Sequence, residues 1–467
     1  MDIVTLGAAI GAAKKDLNKV VAPVSASDAG KIATVDSNGK YVAAELEVGQ
    51  GEVAVDSTLL VSGAAADAQV TGDKVNELKS AVDHLEEDVK DLADAVFGGH
   101  TWQALKELVD SGEAAHVLQV GDQITDSWEK AANTSYVAPW DVVHHMPNGD
   151  VVLNWHYAIP DAIAFDAPEA IYYAPEGGLA AGQYYIGIGT AYGTGWVTTK
   201  HINFTLTSAM DEGDQLYIEC STNNANDPTA GATWKVFAQG STTAKQTGTT
   251  SDSDTGTSLG TIGATNAHKP EGHLNAISRV VYGYGRWSQS AIRQWLNSTA
   301  AANAWWTPQN PWDRPPSQHS SVRGFLAGLA QELQDILVPV DVVTALNTQE
   351  GFAEDTETTQ DKIFLPSLEE MYITPQLADV EGVDWDYNKA LAAEAGLTGK
   401  FAQYGTYEIL KKYQVSSKTS AVGVWLRSCI RGSASYAWYV TYSGYVSYGI
   451  AYNASRGCPA CIIKKSV

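Results

Sequence analysis

The sequence predicts a multidomain protein: an N-terminal extended or β segment, a short coiled coil, a β-rich middle module and a C-terminal α+β domain. The chain has 467 residues, whereas one domain typically holds roughly 100–200. Its content of 44% hydrophobic and 18% charged residues is typical of globular proteins. A heptad repeat and a late onset of arginine, first seen at Arg279, mark the divisions.

Composition excludes several classes of partner. The net charge of −24 repels phosphate, so we expect neither nucleic acid nor an anionic membrane as a partner. No stretch of 18 apolar residues is present, which predicts no membrane insertion. The acidic Asp2 stands where a signal peptide would be basic, so synthesis in a cytoplasm is expected. Four cysteines are too few for a disulfide scaffold.

The N-terminal part divides into two segments. Residues 1–72 have Tyr41 as their one aromatic residue, which predicts small β-turn units or an extended segment. Residues 73–99 predict a coiled-coil helix that makes the chain an oligomer, because apolar residues alternate at spacings of three and four: Val75, Leu78, Val82, Leu85, Val89, Leu92 and Val96. A helix packed on a globular core is the alternative, but it usually shows a wider apolar stripe. Valine at a and leucine at d favour two strands, and flanking domains could impose three.

Residues 100–270 are predicted to form a β-rich domain. A helix over Trp102–Val109 and a strand over Val117–Ile124 precede short strands separated by Gly and Asn/Asp turns. Residues 241–267 are rich in Thr, Ser and Gly, which predicts a loop or linker. An alternative division assigns 102–155 to the core of the C-terminal domain and leaves 156–270 as an insertion.

Residues 271–467 are predicted to form the α+β domain. Ser288 would cap a helix over Gln289–Ser298, and Gly324–Leu337 would form a second helix. Strands follow towards the C-terminus, two of them joined by a hairpin turn at Ser443-Gly444. Tryptophans such as Trp287, Trp295, Trp425 and Trp438 are expected to pack this domain.

Motifs for chemistry are weak. Cys458 and Cys461 form a CxxC pair, but no second pair completes a zinc site, so two packed thiols are expected. His144 and His145 are adjacent on an extended segment and face opposite ways, and His156 lies apart, so no metal is predicted. With no catalytic motif present, we expect no catalytic residue, no cofactor and no enzyme activity.

The C-terminal segment from Tyr436 to Tyr452 has an unusual composition. Seven of its 17 residues are aromatic, against 9% for the chain, and small polar residues fill most of the rest. Tyrosine among Ser, Gly and Asn is the composition of antibody-like contact loops. The alternative is a hairpin whose aromatic residues are core. It explains Trp438, Val440 and Val446 but not tyrosines on both strand faces, so a binding surface is favoured.

The segment WLRSCIRGSASYAWYVTYSGYVSYGIAYNASRGCPACII at 425–463 resembles the variable region of proteins diversified by diversity-generating retroelements, which are common in gut phages and prophages. Three further segments resemble the same family: SQSAIRQWLNS at 288–298, FLAGLAQELQDILVPV at 325–340 and DKIFLPSLEEMY at 361–372. The resemblance implies a C-type-lectin-like ligand-binding domain over 271–467. Residues 1–80 resemble the N-terminal part of phage structural proteins, which implies a virion-attachment segment.

In that family, framework positions alternate with positions varied through adenine mutagenesis of Asn-type codons. By resemblance the framework includes Trp425, Arg427, Gly432, Trp438, Gly444 and Pro459. The varied, ligand-facing set would be Ser433, Ser435, Tyr436, Tyr439, Tyr442, Tyr445, Ser447, Tyr448, Tyr452 and Asn453. Tryptophan cannot be reached from such a codon by changing adenines, which agrees with Trp438 as framework. Cys429 departs from the family pattern, where proline is expected.

The resemblance implies a receptor-binding protein of a phage tail fibre. It would bind a protein or glycan on a bacterial surface, contact other tail proteins through its N-terminus, and reside in the virion tail. By family resemblance a homotrimer is favoured over a dimer. Two alternatives stay open. One is an oxidase similar to formylglycine-generating enzymes, which use paired cysteines and copper. The other is a bacterial cell-surface adhesin.

Overall fold

The computed structural model describes residues 102–190, 197–218, 231–261, 280, 282–318 and 321–466, together with four short N-terminal strands. Those strands are Ile32–Val35 (β1), Tyr41–Ala44 (β2), Val55–Asp56 (β3) and Ala65–Ala66 (β4). Strands β1 and β2 pair antiparallel, and β3 and β4 pair parallel. The coiled coil predicted over residues 73–99 lies outside the described residues and stays a prediction.

The chain divides into two compact units, the first formed by residues 1–119, 147–149 and 464–467. Helices Trp102–Ser111 (α1) and Ala114–Val117 (α2) belong to this unit. The helix predicted from Trp102 is confirmed and runs two residues beyond Val109. The strand predicted over Val117–Ile124 is wrong, because α2 ends at Val117 and the next strand begins only at Gln123.

The second unit, residues 120–146 and 150–463, contains a four-stranded antiparallel sheet in the order β24-β7-β6-β5. Its strands are Gln123–Ala131 (β5), Thr134–His145 (β6), Val151–Trp155 (β7) and Ala460–Ile463 (β24). All of β7 is buried. The last strand of the chain therefore pairs with a strand that lies about three hundred residues earlier, through Ala460–Asn154 and Cys461–Leu153 among others.

A second antiparallel sheet consists of Val424–Cys429 (β20), Tyr436–Val440 (β21) and Val446–Ile450 (β22). Three two-stranded sheets complete this part of the unit. They are Ile163–Ala164 (β8) with Ala454–Ser455 (β23), Val340–Ala345 (β16) with Thr356–Asp361 (β17), and Lys412–Tyr413 (β18) with Ala421–Val422 (β19). The Ser443-Gly444 turn between β21 and β22 is confirmed.

Helices packed in this unit include Ala291–Leu296 (α3), Gln331–Ile336 (α4) and Asp386–Glu394 (α5), with 3-10 turns at Trp287–Gln289, Leu326–Gly328 and Glu408–Leu410. The N-cap of α3 is Ser290 rather than Ser288, and its hydroxyl accepts from the Arg293 amide at 3.3 Å. The single helix predicted over Gly324–Leu337 is wrong. A 3-10 turn and α4 replace it, because the backbone is extended at Ala330.

The core of this unit lies between the four-stranded sheet and α3. Trp155 of β7 has its ring centroid 5.8 Å from that of Trp128 and 5.0 Å from that of Phe325. Trp295 of α3 lies 5.5 Å from Phe325. All four rings are fully buried, which confirms for Trp295 the packing role predicted from the sequence.

A β-sandwich of seven strands follows β8 in the chain: Tyr172–Tyr173 (β9), Gly182–Thr190 (β10), Val197–Leu206 (β11), Gln215–Ile218 (β12), Thr233–Phe237 (β13), Ala244–Thr249 (β14) and Thr257–Thr261 (β15). Its sheets have the orders β11-β10-β15 and β14-β13-β12-β9 and share one hydrophobic core. The β-rich middle is thus confirmed. The loop or linker predicted over 241–267 is wrong where β14 and β15 lie as edge strands, since half-exposed edge strands need few apolar residues. Residues 262–267 lie outside the described residues.

The loop from Asn310 to Arg314 packs against the sandwich. The Arg314 guanidinium lies 3.7 Å from the centroid of the Phe237 ring and donates to Gln215 Oε1 at 3.0 Å and to the Ser241 carbonyl at 2.6 Å. Trp312 contributes its carbonyl to the Ala170 amide at 2.6 Å. These contacts attach the sandwich to the rest of the unit.

Three carboxylates are buried beside this loop: Asp166, Glu169 and Asp313, each no more than 2% exposed. Burial raises the pKa of Asp166 well above its usual range, and repulsion from the other two carboxylates acts in the same direction. Burial also raises the pKa of Asp313 to about 8, although the Gln309 amide and Arg314 oppose the shift. The folded chain therefore holds protons here that the unfolded chain releases near pH 4.

We expect the free energy of unfolding to fall as the pH rises from 6 to 8.5, because the folded state binds more protons than the unfolded state in this window. The loss attributable to Asp313 should be on the order of 2 kcal/mol. Urea unfolding at several pH values measures it. In Asp313→Asn the dependence should flatten, and a variant profile parallel to that of the wild type would refute the assignment.

Candidate functional site

The Tyr-rich segment forms a β-hairpin whose turn requires glycine. Gly444 has φ +78°, and a Cβ atom there would lie 2.1 Å from the Tyr407 carbonyl oxygen, so any side chain would clash. The Thr441 carbonyl accepts from the Gly444 amide at 2.9 Å, and Thr441 donates to the Tyr445 carbonyl at 2.9 Å. The turn is therefore fixed in shape and fixes the register of the hairpin.

One face of the hairpin is core over most of its length. Trp438, Val440 and Val446 are fully buried in a hydrophobic cluster with residues such as Leu426. The Trp438 indole donates to Gln376 Oε1 at 3.3 Å, and the same oxygen accepts from a backbone amide, so the buried N–H has a partner. The alternative interpretation, a hairpin whose aromatic residues are core, therefore holds for these three positions.

The outer end of the same face carries an aromatic cluster of Tyr404, Tyr436, Trp438 and Tyr448. The centroid of the Tyr448 ring lies 5.2 Å from that of Tyr436, 6.0 Å from Trp438 and 6.2 Å from Tyr404, all in edge-on contact. Tyr448 is 41% exposed and Tyr404 52%. Edge-to-face packing fixes the rings while part of their area stays open to a ligand.

The opposite face of the hairpin carries the other predicted positions of these strands. Tyr439 pairs across the ladder with Ser447, and its ring centroid lies 5.4 Å from that of the buried Trp425. Tyr445 lies two residues before Ser447 and so is on the same face. Both tyrosines are partly buried. The predicted ligand-facing set is thus divided between two faces, because neighbouring residues of a strand alternate in direction.

Four further predicted residues lie beyond the strands. Tyr442 is at the turn. It is 69% exposed, which makes it the most exposed large apolar side chain among the described residues. Tyr452 stacks on Tyr282 with centroids 6.4 Å apart, and Asn453 next to it is exposed. Ser433 is partly exposed.

Ser435 requires a correction. It was predicted to face the ligand, yet it is fully buried, with its hydroxyl 3.4 Å from that of Ser433. Its carbonyl accepts from the Ala451 amide at 2.9 Å, which ties the start of β21 to the end of β22. A small side chain is needed at this position for packing rather than for contact.

Five of the six framework residues are buried: Trp425, Arg427, Trp438, Gly444 and Pro459. The Pro459 carbonyl accepts from the Trp155 amide at 2.8 Å and from the Asn154 side chain at 3.0 Å, which holds the C-terminal strand on β7. Gly432 is exposed, and a Cβ atom there would meet nothing within 4 Å, so the structure gives no reason for glycine at that position.

Arg427 lies at the centre of a buried ionic network beneath the hairpin. Its guanidinium donates to both carboxylate oxygens of Glu370, to the Leu365 carbonyl at 2.9 Å and to the Glu381 carbonyl at 2.6 Å. Ser428 donates to the Glu381 carboxylate at 2.6 Å. Burial raises the pKa of Glu381, which Arg427 and Ser428 partly offset. The network joins β20 to two loops and so supports the sheet that carries the site.

The hairpin surface has no formal charge. Residues 432–455 include no Asp, Glu, Lys, Arg or His, and neither does the adjoining loop 401–407, although the chain has a net charge of −24. Neighbouring Arg431 is paired with Asp355. Contacts made by such a surface are apolar or involve hydroxyl and amide groups, so their strength depends little on salt.

Comparison with known families gives one match. Residues 273–465 match the model of a family described as "Domain of unknown function (DUF6273)". The matched range includes the hairpin and β24 but excludes β7, with which β24 pairs. No curated protein and no solved structure matches the chain significantly.

The structure gives no chemical role to the cysteine and histidine motifs. Cys458 and Cys461 are buried free thiols, and burial raises the pKa of both, that of Cys458 to about 11, so neither is a reactive thiolate at neutral pH. His144 lies 3.0 Å from Asp386. Within the described residues no group of three His, Cys, Asp or Glu side chains is arranged to hold a metal ion. The helices of this same part of the chain include none long and apolar enough to cross a membrane.

Sequence reasoning missed two contributors to the site. Tyr404 and Gln376 lie outside the Tyr-rich segment, in loops that show no periodic pattern. Tyr404 joins the aromatic cluster, and Gln376 accepts a hydrogen bond from the Trp438 indole N–H. The one local signal is the pair Tyr404-Gly405, which is typical of a tight turn but not of a binding residue.

Proposed function

We propose that this protein is an adhesion protein of a phage tail, which recognises a protein or glycan on a bacterial surface through the hairpin surface described above. The observation that carries the proposal is the uncharged aromatic surface. Of the six large apolar side chains recorded as exposed in the described residues, three belong to this surface: Tyr404, Tyr442 and Tyr448. Exposed tyrosines among small polar residues are suited to binding, since they add contact area at low entropic cost.

The proposal that side chains of this surface vary between members rests on the resemblance to retroelement-diversified proteins. Varied positions would change the exposed side chains, while the buried framework keeps the fold. The burial of Trp425, Arg427 and Trp438 supports such a division, because substitution at these positions would disturb packing. No chemistry is assigned to the surface, and we propose no cofactor.

A C-type-lectin-like arrangement of the domain is part of the proposal. Three observations support it: β24 closes on β7, the short helices α3 and α4 lie between them in the chain, and a second antiparallel sheet presents the site. The pairing of β24 with β7 also supports a division in which 120–155 of the predicted range 102–155 contribute to this domain and 156–270 form an insertion, whereas 102–119 belong to the first unit. The boundary at residue 270 stays a prediction.

Labelled protein tested on a panel of bacterial strains would test the function. We expect saturable binding to the cells of a susceptible strain and competition with adsorption of the phage that carries the protein. Binding should change little between 50 and 500 mM NaCl, because the surface is uncharged. Failure to bind any strain that the phage infects would contradict the proposal.

We further propose a homotrimer that is attached to the virion through residues 1–72, with identical sites combining their affinities. Light scattering should give a particle of three times the 49.8 kDa chain mass. The variant Leu85→Asp places a charge in the predicted apolar seam and should dissociate the assembly. A monomeric wild-type protein would rule out the coiled coil.

A further inference from the structure

We infer that Tyr404 is a constant anchor of the ligand-binding surface, supplied by a loop outside the varied segment. The inference rests on the proposed function and deepens it. It assigns a binding role to a residue that neither the Tyr-rich composition nor the family resemblance singled out.

The loop that carries Tyr404 is bound to the hairpin by its backbone. The Tyr404 amide donates to the Val446 carbonyl at 3.0 Å, and Val446 donates to the Gly405 carbonyl at 2.9 Å. The Tyr407 amide donates to the Gly444 carbonyl at 2.9 Å. Tyr404 therefore has a fixed position relative to the hairpin, whatever side chains the varied positions carry.

The backbone conformation at this position does not favour a tyrosine. Tyr404 has φ +60°, the left-handed region in which a non-glycine residue is strained by about 1–2 kcal/mol. Tyr404 is 52% exposed, so packing on Trp438 and Tyr448 offsets part of that strain while about half of the residue stays open to a ligand. Glycine would adopt the conformation at lower cost. A residue that is strained and exposed at a binding surface is better explained by what it contacts in the bound state.

The neighbours of Tyr404 explain why the anchor would be constant. Its ring centroid lies 5.5 Å from that of Trp438, a framework residue, and 6.2 Å from that of Tyr448, a varied one. If Tyr448 became Ser or Asn, Tyr404 and Trp438 would still form an aromatic pair. Partial burial, with Tyr448 and Tyr445, raises the pKa of Tyr404, so its hydroxyl stays an uncharged donor. Every variant of the surface would thus keep one aromatic contact.

A displayed library tests the inference with a defined probe. The nine accessible varied positions would be randomised in the full chain, displayed on yeast and selected on chicken lysozyme. In the selected clones, Tyr404→Gly should weaken lysozyme binding at least tenfold. The melting temperature should change by no more than a few degrees, because relief of the backbone strain offsets the lost ring contacts. Glycine is used rather than alanine because alanine would keep that strain.

Lys418→Gly is the matched control, since Lys418 is also exposed and left-handed, with φ +58°, but lies in the turn between β18 and β19. It should likewise keep the protein folded and leave lysozyme binding unchanged. Selected clones that keep their affinity in Tyr404→Gly would overturn the inference while leaving the proposed function intact. A folded library that gives no lysozyme-binding clone would overturn the inference, whereas the proposed function is tested separately by binding to susceptible cells.

Discussion

Replacing Arg427 by methionine should lower the free energy of unfolding by about 3–5 kcal/mol, the largest effect expected of a single substitution here. Arg427 is 1% exposed, and its guanidinium bonds both oxygens of the Glu370 carboxylate and three backbone carbonyls. Methionine fills a similar volume but leaves Glu370 charged in a dry environment and the carbonyls of Leu365 and Glu381 without their donor. The loss comes chiefly from those unpaired groups.

Urea unfolding followed by tryptophan fluorescence measures this loss. Arg431→Met is the matched control, because Arg431 donates to the Leu346 carbonyl at 3.0 Å and pairs with Asp355, whose side chain is 70% exposed and stays hydrated, so the loss should be only about 1–2 kcal/mol. A second variant, Arg427→Met with Glu370→Leu, removes the uncompensated charge and should recover part of the stability. If the free energy of unfolding of Arg427→Met lay within 1 kcal/mol of the wild-type value, the network would not support the sheet.

Replacing Tyr442 and Tyr448 together by serine should reduce binding to susceptible cells about a hundredfold. Exposed aromatic anchors at an interface commonly contribute at least about 2 kcal/mol each, and their effects are not fully additive. Tyr442 is 69% exposed, whereas Tyr448 is 41% exposed and contacts three rings, so the melting temperature should fall by a few degrees while the protein stays folded. Flow cytometry with labelled protein measures the binding.

Two matched controls accompany this pair. Val338→Ser with Val383→Ser removes two exposed apolar side chains elsewhere, at 43% and 45% exposure, and should leave binding intact. Tyr439→Ala removes a ring that packs on Trp425 and should lower stability. Full binding by the Tyr442 and Tyr448 double variant would exclude the hairpin turn and the aromatic cluster from the ligand contact.

The parts of the fold that the sequence predicts are those in which local pattern and packing agree. Alternation identifies strands such as Thr233–Phe237, and the Ser443-Gly444 pair identifies the hairpin turn, since the turn needs a left-handed residue. Burial of Trp287, Trp295, Trp425 and Trp438 also follows from their size and surroundings. Strands β14 and β15 escape prediction, because edge strands of Thr, Ser and Gly resemble a loop in composition.

Long-range contacts account for most of what the sequence could not predict. Arg427 was assigned to the framework by resemblance, but Glu370 and Glu381 lie 57 and 46 residues away from it. Tyr404 reaches the site because its loop bonds to the hairpin backbone. Ser435 was misassigned for a related reason. The Ser-rich composition around Ser435 favours ligand contact. The burial of Ser435 depends instead on the backbone bond that joins the start of β21 to the end of β22.

The central claim is that varied, ligand-facing residues lie on a fixed framework, and deep sequencing of the DNA that encodes residues 425–463 tests it most directly. In phage or prophage populations carrying the gene, substitutions should fall at adenine positions of a nearly identical copy beside a reverse transcriptase gene. They should alter codons for exposed positions such as Tyr442 and Tyr448 and leave those for Trp425, Arg427 and Trp438 unchanged. A segment without such a copy, or one whose substitutions fall equally on buried and exposed positions, would contradict the claim.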